Sequence, residues 1–154
     1  MTRAVFIMVC FLLVQSCSSG GQDTFNSVLL ESSKKEKIYV NTLNWGVTDD
    51  HQISAISLNA DKVRDRSDTV GSVKGLDPFV YRFKDDTLTL YFDGEVNYRL
   101  LDKMKTVFVR YQTLDKGKYR TVYAKAINRI DGYSTVPPRK DVDYPSDMPL
   151  PKER

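Results

Sequence analysis

The sequence predicts an all-β fold: an antiparallel meander of about seven strands, closed as a sandwich or a small barrel. Apolar and polar residues alternate with a period of two in several short runs between Pro78 and Ile127, which places each strand with one face toward a core. Short Asp- and Gly-containing segments separate these runs, as in hairpin connections. No helix-length amphipathic pattern competes with this interpretation. The chain length of 154 residues favours one domain, which we assign to residues 37–131.

The first two strands are expected between Lys37 and Leu58. Ile38, Val40 and Leu43 supply apolar residues to the first strand, and the polar segment Gly46–Gln52 connects it to the second. In the second strand the apolar phase shifts between Ile53 and Ile56, which indicates either a β-bulge or burial on both faces. Residues 59–77 are polar and contain two glycines, which predicts a long loop.

The remaining five strands follow from Pro78 onward. Asp85-Asp86 and Asp93-Gly94 predict tight turns, because glycine accepts the positive φ that a two-residue hairpin requires. The predicted strands cover residues 79–84, 87–92, 96–100, 107–112 and 119–127.

The N-terminus has the features of an export signal. Arg3 precedes the unbroken apolar run Ala4–Val14, which is too short to cross a bilayer and suits a signal peptide. The segment Val14-Gln15-Ser16-Cys17 resembles the lipobox of bacterial lipoproteins. The resemblance implies cleavage after residue 16, a lipid on Cys17 and attachment to a membrane of the cell envelope. Ser18, where an Asp would indicate inner-membrane retention, favours the outer membrane. The alternative is a secreted protein cut near Ser16, with Cys17 as a free thiol.

The segments that flank the β-domain differ from it in composition. Residues 17–36 are rich in Ser, Gly and charged residues, which predicts a flexible lipidated tether. Four apolar residues interrupt this tether and are compatible with a short strand or a turn of helix: Phe25, Val28, Leu29 and Leu30. Five of the six prolines lie between Pro137 and Pro151, so residues 132–154 are expected to form an extended tail, since proline is excluded from central strands.

The net charge argues against one class of ligand, and the cysteine content indicates what stabilises the domain. Loss of Arg3 with the signal peptide leaves a net charge of +2, too small to indicate nucleic-acid binding. Cys10 belongs to the signal peptide and Cys17 to the lipid anchor, so the mature domain has no disulfide. Its stability must therefore come from packing.

The most site-like stretch is Trp45–His51, which contains the only Trp and the only His. Asp49, Asp50 and His51 place two carboxylates beside an imidazole, a combination that supports acid–base chemistry or metal binding. Adjacent turn residues point in different directions, however, so a polar loop beneath a core Trp45 is the favoured interpretation. No metal site and no cofactor are predicted.

Tyrosines interleaved with basic residues form the second candidate site. Tyr111 follows Arg110, and Tyr123 lies close to Lys125. On the outside of a sheet such side chains bind a glycan or a protein edge, although strand propensity alone also accounts for them. The sequence therefore predicts a lipid-anchored envelope protein with a non-enzymatic binding or structural role. The alternatives are an inhibitor or immunity protein against an exported enzyme, and a hydrolase using Asp49, Asp50 and His51.

Overall fold

The structure, a computed structural model, describes residues 23–139 and contains two four-stranded β-sheets that pack face to face. The all-β prediction and its sandwich form are confirmed. The proposed signal peptide, Cys17 and the tail beyond residue 139 lie outside the described residues. Within the described residues, no helix has the length and apolarity to cross a membrane.

Each sheet is assembled from four strands, with one helix against the second sheet. The first sheet has the order β1 (Thr24–Glu31), β2 (Lys37–Trp45), β3 (His51–Ser57), β4 (Val73–Lys74). The second has the order β7 (Phe108–Leu114), β6 (Thr87–Asp93), β5 (Val80–Lys84), β8 (Tyr133–Ser134). Helix α1 (Lys116–Ile127) and a 3-10 turn (Ile130–Gly132) connect β7 to β8.

Both faces of the first sheet are buried. Even-numbered residues such as Ile38, Val40 and Ile56 join the core between the sheets, whereas Leu43 and Ile53 belong to a second cluster on the outer face. The loop between β3 and β4 covers that outer face and inserts the fully buried Val63. The pairing of β2 with β3 is continuous from Tyr39 to Trp45. Two-sided burial, rather than a bulge, therefore explains the shifted apolar phase in β3.

The core between the sheets is rich in aromatic side chains. Phe79 stacks on Tyr98 with ring centroids 5.3 Å apart and contacts Phe92 at 5.9 Å. Large aromatic side chains bury enough apolar area to stabilise a domain without a disulfide.

The N-terminal tether is shorter than predicted. Thr24–Glu31 is a complete edge strand, paired with β2 along its whole length. Phe25 and Leu30 explain the difference, because they point to opposite faces of the sheet and pack into the outer and inner clusters, respectively. The flexible segment assigned to residues 17–36 therefore does not extend through this strand.

The last predicted strand, residues 119–127, is a helix. Asp115 caps it by accepting a hydrogen bond from the Lys118 backbone N–H at 2.9 Å, which satisfies one of the free amides at a helix start. Tyr119, Val122 and Ala126 pack on the outer face of the second sheet, at a spacing that brings side chains to one face of a helix. The prediction was wrong because tyrosine and valine also suit strands.

The second sheet is mixed, not a purely antiparallel meander. β6 and β7 are parallel, so Asp93-Gly94 does not form the predicted hairpin. Residues 94–107 instead return along the sandwich, and the predicted strand at 96–100 is irregular. The segment is held by its contribution to the core, because Tyr98 and Val107 are buried in it.

The start of the predicted tail belongs to the sandwich. Tyr133 and Ser134 pair with Arg82 and Tyr81 of β5 as a two-residue edge strand, and Val136 is fully buried in the core. The folded unit therefore extends beyond the predicted limits of 37 and 131 at both ends.

Candidate functional site

A cleft of about 570 Å³ opens at the end of the sandwich where β1 begins. Its floor comes from the inward face of the first sheet: Thr24, Asn26, Asn44 and Gln52. Its walls come from loops at the same end: Asp49, Leu76, Asp77 and residues 137–139. The volume is in the range of small-molecule sites, about 300–1,000 Å³.

The floor of the cleft is polar because the inward-facing residues of β1, β2 and β3 change from apolar to polar along the sheet. Thr24 pairs with Asn44, and Asn44 pairs with Gln52, so the three side chains form one row across the strands. At the other end of the same face the row Leu30–Ile38 is apolar and packs into the core.

A chain of hydrogen bonds fixes the orientation of the Asn44 amide. Gln52 Nε2 donates to the Val136 carbonyl at 2.8 Å and to Ser54 Oγ at 2.9 Å. Since these acceptors require the Gln52 nitrogen on that side, Gln52 Oε1 faces Asn44 and accepts from its Nδ2 at 3.2 Å. Asn44 Oδ1 must then point away from Gln52.

Asn44 Oδ1 has no hydrogen-bond partner within residues 23–139, although the residue is only 7% exposed. A buried acceptor left unpaired costs about 1–3 kcal/mol. Thr24 and Asn26 also line the cleft, and their side chains form no hydrogen bond within the described chain. The floor of the cleft therefore has hydrogen-bonding groups that no other residue of the described chain uses.

The opposite wall contains an Asp77–Tyr123–Arg139 network. The Tyr123 hydroxyl donates to Asp77 Oδ2 at 2.7 Å and accepts from Arg139 Nη2 at 3.2 Å. Arg139 Nη2 also lies 3.8 Å from Asp77 Oδ2. Burial, together with the bond to the Asp77 carboxylate, raises the pKa of Tyr123. The predicted site residue Tyr123 thus reaches the cleft indirectly, by positioning Asp77 and Arg139.

The structure separates the predicted acid–base residues. Asp49 lines the cleft, whereas His51 stacks on Trp45 with ring centroids 5.6 Å apart. Asp50 Oδ2 lies 3.9 Å from His51 Nε2, and both side chains are exposed. Gly46 permits this tight loop, because at its φ of +105° an added Cβ would lie 1.9 Å from Asp50 Oδ1.

Trp45 is a packing residue of the outer face. It contacts the cluster formed by Leu43, Ile53 and Val63. The Arg66 guanidinium covers its ring at 5.3 Å and is itself paired with Asp23 through Nε and Oδ2 at 2.9 Å. This arrangement matches the interpretation of a polar loop beside a core tryptophan.

Tyr111 is also engaged in packing, on the other side of the second sheet from Tyr123. Its ring stacks on Phe92 at 6.4 Å, and its hydroxyl accepts a hydrogen bond from the Leu100 backbone N–H at 3.1 Å. Tyr111 and Tyr123 therefore do not form one surface.

Among residues 23–139 no group of three or more His, Cys, Asp or Glu side chains is arranged to hold a metal ion. A second groove of about 460 Å³, which we call the distal groove, is lined by Leu58, Val70 and Leu101 among others. It lies near the end of β3, at the opposite end of the sandwich from the cleft.

The fold and the site together define a β-sandwich with a polar, amide-lined cleft at one end. Comparison with protein-family models, curated proteins and solved structures finds no match. Of the residues that line the cleft, the sequence pointed to Asp49, and the predicted Tyr123 contacts two others, Asp77 and Arg139. The sequence analysis did not select Asn26, Asn44 and Gln52. What could have indicated them is that amide side chains occupy strand positions that face inward.

Proposed function

We propose that this protein is a lipid-anchored, non-enzymatic binding protein of the cell envelope, and that its cleft binds an uncharged glycan. Lipid on Cys17 would hold it in the outer membrane. The observation that carries the binding proposal is the row of hydroxyl and amide side chains on the cleft floor, Thr24, Asn26 and Asn44, in which Asn44 Oδ1 has no hydrogen-bond partner within the described residues.

The chemistry of the cleft suits sugar hydroxyl groups. A hydroxyl donates one hydrogen bond and accepts others, so it can pair with amide oxygens, amide nitrogens and carboxylates. Asn26 and Asn44 supply amides, and the exposed Asp49 supplies a carboxylate acceptor. Leu76, Pro137 and Pro138 supply apolar surface for the C–H face of a sugar ring.

The charges of the cleft favour a neutral ligand. Asp77 and Arg139 contact each other, at 3.8 Å, and Tyr123 Oη donates a further hydrogen bond to Asp77. The Asp49 carboxylate remains free to accept hydrogen bonds from sugar hydroxyl groups. Its negative charge disfavours an anionic sugar by like-charge repulsion.

A binding role without catalysis is supported by the positions of the titratable side chains, which lie on different faces of the first sheet. A general acid or base must lie within hydrogen-bond reach of the proton that it transfers, so a cooperating pair must reach the same ligand. The His51 ring stacks on Trp45 on the outer face of the first sheet, while Asp49 faces the cleft. Asp77 is already occupied by Tyr123 and Arg139.

Calorimetric titration of the mature chain in detergent micelles with a panel of neutral and acidic mono- and disaccharides tests the binding proposal. We expect saturable binding of at least one neutral sugar, and a loss of about tenfold or more in Asn44→Leu, since a buried sugar hydroxyl left without its partner costs about 1–3 kcal/mol. Binding of acidic sugars alone, or of none, would contradict it.

Asn41→Leu is the matched control for that titration. Asn41 lies on the same strand, is fully buried, and also has an unpaired Oδ1, but it belongs to the outer face and donates to the Asn59 carbonyl at 2.9 Å. The control should lose stability and keep its sugar affinity. Equal loss of affinity in both variants would indicate a general effect on folding.

Cys17→Ser tests the anchor separately. Metabolic labelling with a fatty acid should mark the wild-type protein and not the variant, and the variant should leave the membrane fraction. Unchanged membrane attachment of Cys17→Ser would remove the lipoprotein proposal without affecting the binding proposal.

A further inference from the structure

The covalent distance between Cys17 and the sandwich limits how far the cleft can lie from a membrane. Thr24 begins β1 and follows Cys17 by seven residues. A fully extended chain spans about 3.3–3.6 Å per residue, so Thr24 can lie at most about 25 Å from a lipidated Cys17. Thr24 itself lines the cleft.

The cleft and the tether therefore share one end of the domain. Thr24 pairs with Asn44 near the end of β2, and the loop that follows β2 contributes Asp49 to the cleft. The opposite end of β1, where Glu31 pairs with Lys37, is about 23 Å further along the strand, at about 3.3 Å per residue. The distal groove lies toward that opposite end, because Ser57 pairs with Tyr39.

Two apolar side chains are exposed in loops at the end of the sandwich that holds the cleft. Val47 in the loop after β2 is 94% exposed, and Leu76 in the cleft wall is 58% exposed. Neither side chain belongs to the three clusters of packed apolar residues in the described chain. Leu58, Val70 and Leu101 of the distal groove are exposed as well, so the inference depends on the short distance between Cys17 and the cleft and not on these side chains.

We infer that the ligand of the cleft is the sugar headgroup of a membrane-borne glycolipid in the same bilayer that holds Cys17. The inference rests on the proposed function, since it requires both the lipid on Cys17 and sugar binding in the cleft. The same sugar chemistry in a cell-wall glycan or a free oligosaccharide is the competing source of ligand.

When the protein and the glycolipid are anchored in the same bilayer, binding to the sugar headgroup is strengthened without any additional contact. Tethering two partners to one surface replaces a free encounter by an effective concentration set by tether length, which falls roughly as the −3/2 power of that length. A seven-residue tether keeps the cleft near the headgroups, whereas a long one lets the domain move away from them.

Photo-crosslinking in vesicles tests the inference. The lipidated full chain is reconstituted in phosphatidylethanolamine and phosphatidylglycerol vesicles that carry diglucosyl-diacylglycerol, with a photoreactive amino acid at Leu76 or, as a control, at Leu101 in the distal groove. We expect the glycolipid to be crosslinked from position 76 and not from position 101, and Asn44→Leu to remove the crosslink. An insertion of about thirty Gly and Ser residues between Gly21 and Gln22 should reduce crosslinking about tenfold.

The outcomes separate this inference from the proposed function. If free diglucose binds in solution but the insertion leaves glycolipid crosslinking unchanged, or if both positions crosslink equally, the membrane-borne ligand is wrong and the cleft remains a sugar site. If Asn44→Leu alters neither crosslinking nor sugar binding in solution, both proposals fail.

Discussion

The Tyr98 hydroxyl forms two hydrogen bonds with the backbone of Ile56, accepting from its N–H at 2.8 Å and donating to its carbonyl at 3.4 Å. Tyr98 thereby occupies the edge of β3 beyond the two-residue strand β4. Asp102 continues this protection by accepting from Leu58 N–H at 2.8 Å and from Ser57 Oγ at 2.7 Å. An exposed strand edge is a site of unwanted pairing, and the 94–107 segment removes that risk.

Tyr98→Phe should destabilise the domain by about 1–3 kcal/mol, because the buried Ile56 N–H loses its partner. Urea denaturation followed by tryptophan fluorescence measures the change. Tyr39→Phe is the control, since Tyr39 lies on the outer face of the same sheet and its hydroxyl forms no hydrogen bond within the described chain. A Tyr98→Phe variant as stable as the control would contradict the role assigned to this contact.

Alkaline pH should destabilise the protein through its buried tyrosines. Burial raises the pKa of Tyr98 to about 12 and that of Tyr119 to about 12, above the ordinary value of about 10. The native state then holds these protons at a pH where the unfolded chain releases them. Stability is therefore complete below pH 10 and falls as the pH rises toward 12.

The free energy of unfolding, measured between pH 9 and 12, checks this dependence. Tyr98→Phe should reduce the slope above about pH 10. An identical slope in wild type and Tyr98→Phe would show that Tyr98 does not carry the effect.

Acid should loosen the attachment of the 94–107 segment through Glu36. The Glu36 carboxylate accepts hydrogen bonds from Thr106 Oγ1 at 2.6 Å and from the Lys105 N–H at 2.7 Å. The Thr106 side-chain bond, with the backbone bonds, lowers the pKa of Glu36 below its ordinary value of 4.5. The ionised Glu36 carboxylate therefore contributes to the free energy of unfolding above pH 4.5. This contribution is lost as the pH falls through the lowered pKa.

Glu36→Gln should flatten this loss of stability below pH 4.5, which thermal melts at a series of pH values would detect. Glu95→Gln provides a comparison, because the Glu95 side chain makes no hydrogen bond within the described residues. The assignment fails if both variants keep the wild-type acid dependence.

Gln52→Leu should cost more stability than any other single change in the cleft floor. It would leave the Val136 carbonyl and Asn44 Nδ2 without their partners, and each buried unpaired group costs about 1–3 kcal/mol. Chemical denaturation should show a loss of about 2 kcal/mol or more. Gln112→Leu, on the exposed strand β7, should change stability by less than about 0.5 kcal/mol.

The sequence predicts well those strands whose apolar pattern fits the strand period and not the helix period. Alternation in β5 and β6 identifies both strands and their antiparallel pairing, which the structure confirms. The residues of α1 were misassigned because Tyr119, Val122 and Tyr123 fit both periodicities, and the capping role of Asp115 was the overlooked signal. The parallel pairing of β6 with β7 depends on Tyr98 and Val107 entering the core, a tertiary contact that local pattern does not encode.

The cleft was only partly predictable for a similar reason. Asp49 and Tyr123 stand out as chemistry-bearing residues, but amides such as Asn44 and Gln52 are unremarkable in a sequence. Their significance comes from the register that aligns Thr24, Asn44 and Gln52 across three strands. It also depends on Val136, 84 residues from Gln52 along the chain, which fixes the orientation of the row.

The most direct test of sugar binding in the cleft is the nuclear magnetic resonance of side-chain amides. The ¹⁵N-labelled mature chain, in detergent micelles, is titrated with the neutral disaccharide that binds best by calorimetry. We expect saturable shifts of the Asn44 and Asn26 side-chain amides, with the Asn41 amide and the His51 ring unchanged. Shifts confined to His51 and Trp45, or to residues of the distal groove, would contradict it.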